Sequence, residues 1–132
     1  MQIDEPVLGW ALLFARTCLA GVFLVSGVHK ALYYEKAREE FQLARVPATG
    51  ILLPLTILLH LIAAASLISG VYARESALLL ALFTVVATVK VHCFWRMTGP
   101  ERLDRSRVAL SNLAIVGGLL LLAATGPGRL LP

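Results

Sequence analysis

Charged residues are scarce in this sequence of 132 residues. Asp, Glu, Lys and Arg make up only 15% of it, and 58% of the residues are hydrophobic. Soluble domains average about 25% charged and about 45–50% apolar residues. The shortage of charge excludes an ordinary water-soluble fold and indicates that lipid is the solvent. No polar segment is long enough to form a soluble domain, so residues 1–132 are predicted to form a single transmembrane domain.

Cysteine is nearly absent as well. Cys18 and Cys93 do not form a C-x-x-C pair, and they fall at different depths of two apolar stretches. This placement disfavours a disulfide bond and dithiol redox chemistry, because the two Cα atoms of a disulfide lie within about 7 Å. We predict that both are small packing residues. The sequence also lacks a dense group of His, Cys, Asp and Glu, so no metal site is predicted.

Four apolar stretches are present instead, and they reach or approach the roughly 20 residues that a helix needs to cross a bilayer. They are Val7–Leu32, Ile51–Val71, Ser76–Trp95 and Val108–Thr125. Each is continuously apolar, whereas the strands of a membrane barrel alternate in character. The acidic residues Asp4 and Glu5 and the length of the first stretch argue against a cleavable signal peptide. The sequence therefore predicts an all-α bundle of four transmembrane helices.

The first loop carries an amphipathic pattern. Apolar residues recur there at helical spacing, and most charged residues lie off that stripe; the apolar positions are Tyr33, Ala37, Phe41 and Ala44. Pro47 and Gly50 then interrupt the pattern before the second span. We predict a short interfacial helix between the first two spans, acting either as an anchor or as a lid or docking surface. The third loop, Met97–Arg107, is predicted to be a hydrophilic turn.

Loop charges predict the orientation of the chain. The first and third loops with their flanks hold eight Lys and Arg residues, whereas the opposite side holds only Arg74 and Arg129. The positive-inside rule then places both loops in the cytoplasm and both termini outside. We expect a bacterial-type inner (plasma) membrane. The net charge of +4 is explained by cations beside anionic lipid, so no nucleic-acid partner is predicted.

Polar residues inside the apolar stretches are the candidates for chemistry. Ionisable groups are costly within a membrane and are functional candidates by default. The ligand-binding candidates are Arg16, His60, Lys90, His92 and Asn112, with Ser26, His29 and Lys30 as secondary candidates. Five of them fall at similar depth in the cytoplasmic half, namely His29, Lys30, Lys90, His92 and Asn112, and His60 lies somewhat deeper. No catalytic residue is identified.

The spans contain cations but no acidic residue. Arg16 and Lys90 therefore have no obvious counter-ion within the chain, because Asp4, Glu5 and Glu75 lie at the outer surface. Three arrangements can compensate for these two buried positive charges. The side chains reach the interface, backbone carbonyl oxygens accept their hydrogen bonds, or a ligand or second subunit supplies an anion.

The three histidines, His29, His60 and His92, are candidate ligands for haem. His29 and His92 fall at matching depths on different spans, and His is a standard axial ligand of haem. Both lie close to the interface, however, and His60 has no histidine partner at its own depth. Haem is therefore disfavoured, and no intrinsic cofactor is predicted.

Two segments resemble the DoxX family. The first is RTCLAGVFLVSGVHKAL, which contains Arg16, Gly21, Phe23, Gly27 and Lys30. The second is HLIAAASLISGVYAR, in which Gly70 and Arg74 close the second span. The third span, ending near His92, and the fourth, with Asn112 and the Gly-Pro-Gly segment at 126–128, are similar more loosely.

The resemblance implies a small protein of four spans. Related proteins include a small subunit of a thiosulfate:quinone oxidoreductase and members linked to oxidoreductase complexes that handle thiol stress. The family often carries a glutamate ten residues before the glycine that closes the second span, where this sequence has His60. A site that depends on an Arg–Glu pair with Arg16 is therefore in doubt, and a ligand bearing an anion or a carbonyl fits better.

The sequence is compatible with three functions. The leading hypothesis is a membrane subunit of an oxidoreductase that interacts with quinone, in which Arg16, His60 and Lys90 donate hydrogen bonds and a partner subunit supplies the electrons. The alternatives are a non-catalytic anchor or assembly subunit and a carrier of small solutes or anions. A homo-oligomer is an open arrangement for each of them. Enzymatic activity is left undecided.

Overall fold

The computed structural model describes residues 4–91 and 98–128. These ranges contain five helices: α1 (Glu5–Leu32), α2 (Tyr34–Leu43), α3 (Thr49–Ser69), α4 (Ala73–Val91) and α5 (Gly99–Thr125). The predicted all-α class is confirmed for the described part of the chain. The short helix predicted between the first two spans is present as α2, with Ala37 buried in its middle.

Membrane-length helices are a clear feature of the fold. Within the described residues, three stretches are long and apolar enough to cross a bilayer: Glu5–Leu32, Thr49–Ser69 and Arg102–Thr125. α4 has 19 residues, but Arg74 and Glu75 near its beginning and Lys90 near its end shorten its apolar part. The chain is therefore a helical membrane protein. Among the described residues, length and composition support these three spans. The fourth predicted span, Ser76–Trp95, coincides with α4 as far as Val91 and continues into residues outside the described ranges.

The third loop differs from its prediction. The segment Met97–Arg107 was predicted to be a turn, but α5 already begins at Gly99 and runs through the charged residues into the apolar stretch. Pro100 lies in the first turn, where its missing N–H is not needed. Asp104 lies near the amino end of the helix, where the helix dipole favours negative charge. Hydropathy locates where a helix enters lipid, and so it missed a helix that extends beyond the apolar stretch.

Helix packing joins two pairs of helices. α1 packs along α3, α4 packs along α5, and α3 also contacts α4. The buried core that these helices enclose is rich in small residues, which let helix backbones approach closely in lipid; it contains Ala20, Phe23, Ala63, Ala64, Leu67, Ala73, Ala77, Leu80, Ala81, Leu119 and Leu122. The outer surface is apolar too, as in a helix bundle surrounded by lipid: Phe14 and Leu32 are 72% and 74% exposed.

Gly27 marks a close approach of α1 and α3. A Cβ atom at this position would lie 3.1 Å from the Cβ of His60 and 3.1 Å from Cδ2 of Leu61. A side chain at position 27 would therefore require His60 or Leu61 to shift by a few tenths of an ångström. The missing side chain of Gly27 is what lets His60 sit against the backbone of α1.

The helices run in alternating directions, so the bundle has two distinct ends. Arg16, Ile68 and Pro127 meet at one end, which we call the Arg16 end. Lys30 and Lys90 lie towards the other end and line the same cavity; we call this the Lys30 end. α3 stops at the Arg16 end because Gly70 takes a left-handed conformation (φ +85°), which glycine adopts without steric cost.

Candidate functional site

His60 lies at the centre of the candidate site. It projects from the middle of α3 and is only 3% exposed. Its ring makes edge-to-face contacts with Phe23 (centroids 5.4 Å apart) and Phe83 (4.8 Å). Neither Nδ1 nor Nε2 has a hydrogen-bond partner among the described residues. Buried polar atoms almost always find a partner, so two unpaired ring nitrogens indicate that something else completes this site.

A small cavity lies beside the ring of His60. Its volume is about 140 Å³, enough for a few water molecules or a small polar group. We call it the polar cavity. α1, α3, α4 and α5 all contribute to its wall, through Val22, Phe23, Ser26, Lys30, His60, Phe83, Thr84, Ala87, Asn112 and Ile115.

Two hydrogen-bonded groups face His60 across the polar cavity. The ammonium of Lys30 donates to Oγ of Ser26, one turn earlier on α1, at 2.6 Å. Nδ2 of Asn112 donates to Oγ1 of Thr88 at 2.9 Å, and this bond ties α5 to α4. The ammonium of Lys30 keeps further protons to donate, and the side-chain carbonyl of Asn112 keeps its acceptor capacity. The polar cavity therefore offers both donors and acceptors beside an imidazole.

A larger cavity opens at the Lys30 end, between α2, α3 and α4. Its volume is about 560 Å³, within the range of ligand-binding pockets. We call it the α2 groove. Its charged residues are Lys30, Glu40 and Lys90. Most of the remaining wall is apolar, formed by Phe41, Val46, Pro47, Leu52, Leu55, Thr56, Leu59, Phe83, Val86 and Ala87. Lys30, Phe83 and Ala87 also line the polar cavity.

A third cavity, the α4–α5 groove, lies on the other side of Asn112. Its volume is about 540 Å³. Asn112 belongs to both this groove and the polar cavity. Its wall is almost entirely apolar and consists of Val85, Thr88, Val89, Ser106, Ala109, Leu110, Asn112, Leu113 and Val116. The polar cavity is thus flanked by one groove with a charged mouth and one without charge.

Arg16 lies at the opposite end of the bundle and has a different environment. It is fully buried, and its guanidinium donates to the carbonyl oxygen of Pro127 at 2.6 Å and to that of Ile68 at 3.2 Å. Backbone carbonyl oxygens thus solvate this cation, one of the three arrangements left open by the sequence. Ile68 is eight residues beyond His60, about 12 Å along α3. His60 is therefore too far along α3 to be a hydrogen-bond partner of Arg16.

The described part of the chain brings four of the eight predicted residues into one cavity: Ser26, Lys30, His60 and Asn112. Lys90 lines the neighbouring α2 groove with Lys30. His29 is exposed and packs against the ring of Tyr33, with centroids 4.8 Å apart. His92 lies outside the described residues, as does Cys93, whereas Cys18 is an exposed free thiol. Residues 4–91 and 98–128 hold no group of three His, Cys, Asp or Glu that could bind a metal ion.

Three residues of the site escaped prediction from the sequence. Phe23 and Phe83 hold the imidazole of His60 between them, but in the sequence they are ordinary apolar residues of two spans. Glu40 lines the α2 groove, but in the sequence it belongs to the charged side of an amphipathic stripe. Phe23 belongs to the segment that resembles the DoxX family, but nothing in that segment indicates a contact with a histidine, and no sequence signal distinguishes Phe83 from its neighbours. The position of Glu40 in the groove depends on how α2 packs, which the sequence pattern does not give.

Comparisons with known proteins agree with the helical membrane architecture. The DoxX family model matches residues 11–93. Inner membrane protein YphA of Escherichia coli (strain K12) is 28% identical over 126 residues, which cover 96% of this chain and 88% of YphA. Inner membrane protein YqjF of the same organism is 34% identical over 116 residues, or 88% of this chain and 84% of YqjF. No solved structure matches the chain significantly.

Proposed function

Because this chain belongs to the DoxX family, we propose that it is a small inner membrane subunit of an oxidoreductase and binds the head group of a quinone in its polar cavity. Its relatives YphA and YqjF are inner membrane proteins. The resemblance to DoxX in the first two spans is thereby confirmed. The role in quinone binding is our proposal.

The observation that carries the proposal is the unpaired imidazole of His60. A histidine that is 3% exposed and lacks hydrogen-bond partners within the described chain is unfavourable unless a ligand or water completes it. The cavity beside it is bordered by the ammonium of Lys30 and the amide of Asn112. A quinone carries two carbonyl oxygens on an apolar ring. The hydrogen-bond donors of the cavity wall match the carbonyl oxygens of a quinone, and its two phenylalanine rings match the apolar ring.

Proton transfer is the second task that the polar cavity could perform. Reduction of a quinone to a quinol takes up two electrons and two protons, one proton on each carbonyl oxygen. An imidazole ring can accept a proton at one nitrogen and donate one from the other, and Lys30 lines both the polar cavity and the α2 groove at the Lys30 end. His60 and Lys30 would deliver the protons, and a redox-active partner subunit would supply the electrons.

The isoprenoid tail of the quinone needs an apolar channel that adjoins the polar cavity. The α4–α5 groove meets this requirement because Asn112 borders both spaces and the groove contains no charged residue. The charged mouth of the α2 groove suits such a tail less well. We therefore place the head group beside His60 and the tail between α4 and α5.

The membrane topology is part of the proposal. α4 would form a fourth span alongside the three membrane-length helices, with the side chains of Arg74 and Lys90 reaching the two interfaces. The excess of Lys and Arg in the loops at the Lys30 end would place that end in the cytoplasm and both termini outside. Protons would then be drawn from the cytoplasmic side.

Quinone binding by the full chain in lipid nanodiscs is the direct test. A short-tail ubiquinone is titrated against the original protein, His60→Leu and His29→Leu. We expect His60→Leu to weaken binding at least about tenfold, whereas His29→Leu, at an exposed histidine that lines none of the three cavities, leaves it unchanged. Equal affinities for all three proteins would overturn the proposal.

The protein extracted gently from its own membrane gives an independent readout by native mass spectrometry. A bound quinone that is lost in His60→Leu supports the proposal. A second polypeptide at fixed stoichiometry, without quinone, would favour the non-catalytic anchor or assembly subunit. Lipid alone on a monomer or homo-oligomer would turn attention to the carrier, which uptake by proteoliposomes then tests.

A further inference from the structure

We propose that the α2 groove is a binding site for phosphatidylethanolamine, the phospholipid class whose head group carries both a phosphate and an ammonium. This inference is separate from quinone binding in the polar cavity. It depends on the charges and position of the α2 groove and assumes only that the bundle lies in a membrane.

The body of the α2 groove suits an acyl chain. Leu52, Leu55 and Leu59 recur along one side of α3 and line the groove opposite Val86 of α4. A volume of about 560 Å³ far exceeds what a small polar solute needs. An amphipathic ligand with a long apolar part fits this space better than a free anion or a water-soluble metabolite.

The mouth of the α2 groove suits a head group of mixed charge. Two cations, Lys30 and Lys90, and one carboxylate, Glu40, line the same cavity. A phosphate beside the two ammonium groups would be stabilised, and a primary ammonium on the same head group could donate to the carboxylate of Glu40. A purely anionic head group would satisfy the lysines but leave the negative charge of Glu40 facing another negative charge.

The position of the α2 groove agrees with a phospholipid. It opens beneath the amphipathic helix α2, at the end of the spans where head groups lie. Basic pockets between membrane helices are recurrent sites for lipid phosphates. This groove adds the carboxylate of Glu40 to the two lysines, and the carboxylate would select among phospholipids. α2 contributes both Glu40 and Phe41 to the groove, so the bound lipid would hold this helix against α3 and α4.

Lipid selectivity in nanodiscs tests the inference. The protein is reconstituted with equal amounts of phosphatidylethanolamine, phosphatidylglycerol and phosphatidylcholine, and the retained lipids are counted by native mass spectrometry. The original protein should retain phosphatidylethanolamine about fivefold over the other two. Equal retention of the three would overturn the inference.

Single substitutions assign the selectivity to individual charges. Glu40→Gln should shift the preference towards phosphatidylglycerol by about fivefold, because the carboxylate no longer repels an anionic head group. Glu39→Gln is the matched control: Glu39 is exposed on the same helix and does not line the groove. Lys90→Gln should weaken retention of all three lipids, each of which carries a phosphate, relative to Lys36→Gln, because Lys36 is exposed on α2 and does not line the groove. Identical effects of Glu40→Gln and Glu39→Gln would contradict the assigned role of Glu40.

The variants keep this site distinguishable from the proposed quinone site. Glu40 and Lys90 line the α2 groove but not the polar cavity, and His60 lines the polar cavity but not the groove. Loss of quinone binding in His60→Leu with unchanged lipid selectivity would support two separate sites. Lipid selectivity that changes with His60→Leu rather than with Glu40→Gln would overturn the assignment to the groove.

Discussion

Arg16 and Pro127 are joined by a hydrogen bond of 2.6 Å between residues 111 positions apart in the chain. The guanidinium of Arg16 also donates to the carbonyl oxygen of Ile68. Both carbonyl groups lie at or just beyond the carboxyl ends of helices, α3 and α5 respectively, where the helix dipole favours a positive charge. Arg16 therefore joins α1 to the ends of two other helices, and its main contribution is to stability.

Arg16→Leu tests that contribution. The change removes the hydrogen bonds that the guanidinium donates to the carbonyl oxygens of Ile68 and Pro127. We expect the free energy of unfolding to fall by about 3 kcal/mol, as measured by reversible unfolding in mixed micelles. Arg38→Leu is the control, because Arg38 is half exposed and makes only a 3.8 Å surface ion pair with Glu35. Similar losses for the two variants would rule out a special role for Arg16.

His60→Leu should separate stability from ligand binding. Two unpaired ring nitrogens disappear, and an apolar side chain of comparable size takes their place beside Phe23 and Phe83. We expect unchanged or increased thermal stability in detergent without quinone. The same variant should lose quinone binding. A strongly destabilised His60→Leu protein would show instead that the imidazole holds the helices together.

Gly27→Ala and Gly21→Ala form a matched pair on α1. A Cβ at position 27 would crowd His60 and Leu61 at 3.1 Å, so overpacking should cost about 1–2 kcal/mol. A Cβ at position 21 would meet nothing within 4 Å, and alanine there should stabilise the helix by about 0.5–1 kcal/mol. Unfolding titrations of the two variants give the two signs directly. Equal effects would mean that the close approach of α1 and α3 is not tight.

Asn112 and Thr88 form the polar link between α5 and α4. A double-mutant cycle with Asn112→Leu and Thr88→Val isolates the energy of this bond. We expect a coupling of about 0.6 kcal/mol, the average for hydrogen bonds between membrane helices. Quinone affinity measured on the same variants should fall for Asn112→Leu by a larger factor than for Thr88→Val. Equal losses of affinity would remove Asn112 from the proposed site.

The sequence predicted the depth of the polar residues along each span well, but it predicted poorly the direction in which their side chains face. Counting residues along each span placed Lys30 and Asn112 at similar depth and His60 deeper, and these residues do line one cavity. His29 was assigned a similar depth to Lys30, its neighbour in the chain, but it faces outwards against Tyr33. Depth depends on a position along the helix, whereas convergence depends on the rotation of each helix. That rotation is fixed by contacts such as the one between Gly27 and α3.

The environment of Arg16 could not be predicted for a related reason. Its acceptors are backbone carbonyl oxygens, which every residue carries and no side-chain pattern reveals. The segment that supplies one of them contains Gly126, whose positive φ of +84° and close packing against the guanidinium of Arg74 set the path of the chain. The carbonyl of Pro127 is placed by this path. A sequence pattern that reveals acidic side chains therefore does not reveal which backbone carbonyl oxygens accept from Arg16.

The distance along the chain between Arg16 and Pro127 also orders the events of biosynthesis. α1 is synthesised first, and Pro127 is added 111 residues later. A nascent α1 therefore enters the membrane with an arginine that cannot yet reach this acceptor, at an insertion cost of roughly 2.5–3.5 kcal/mol for a central position. The ribosome must complete the last helix before the bond can close. The environment of Arg16 in α1 is thus completed only when the segment after α5 packs against it.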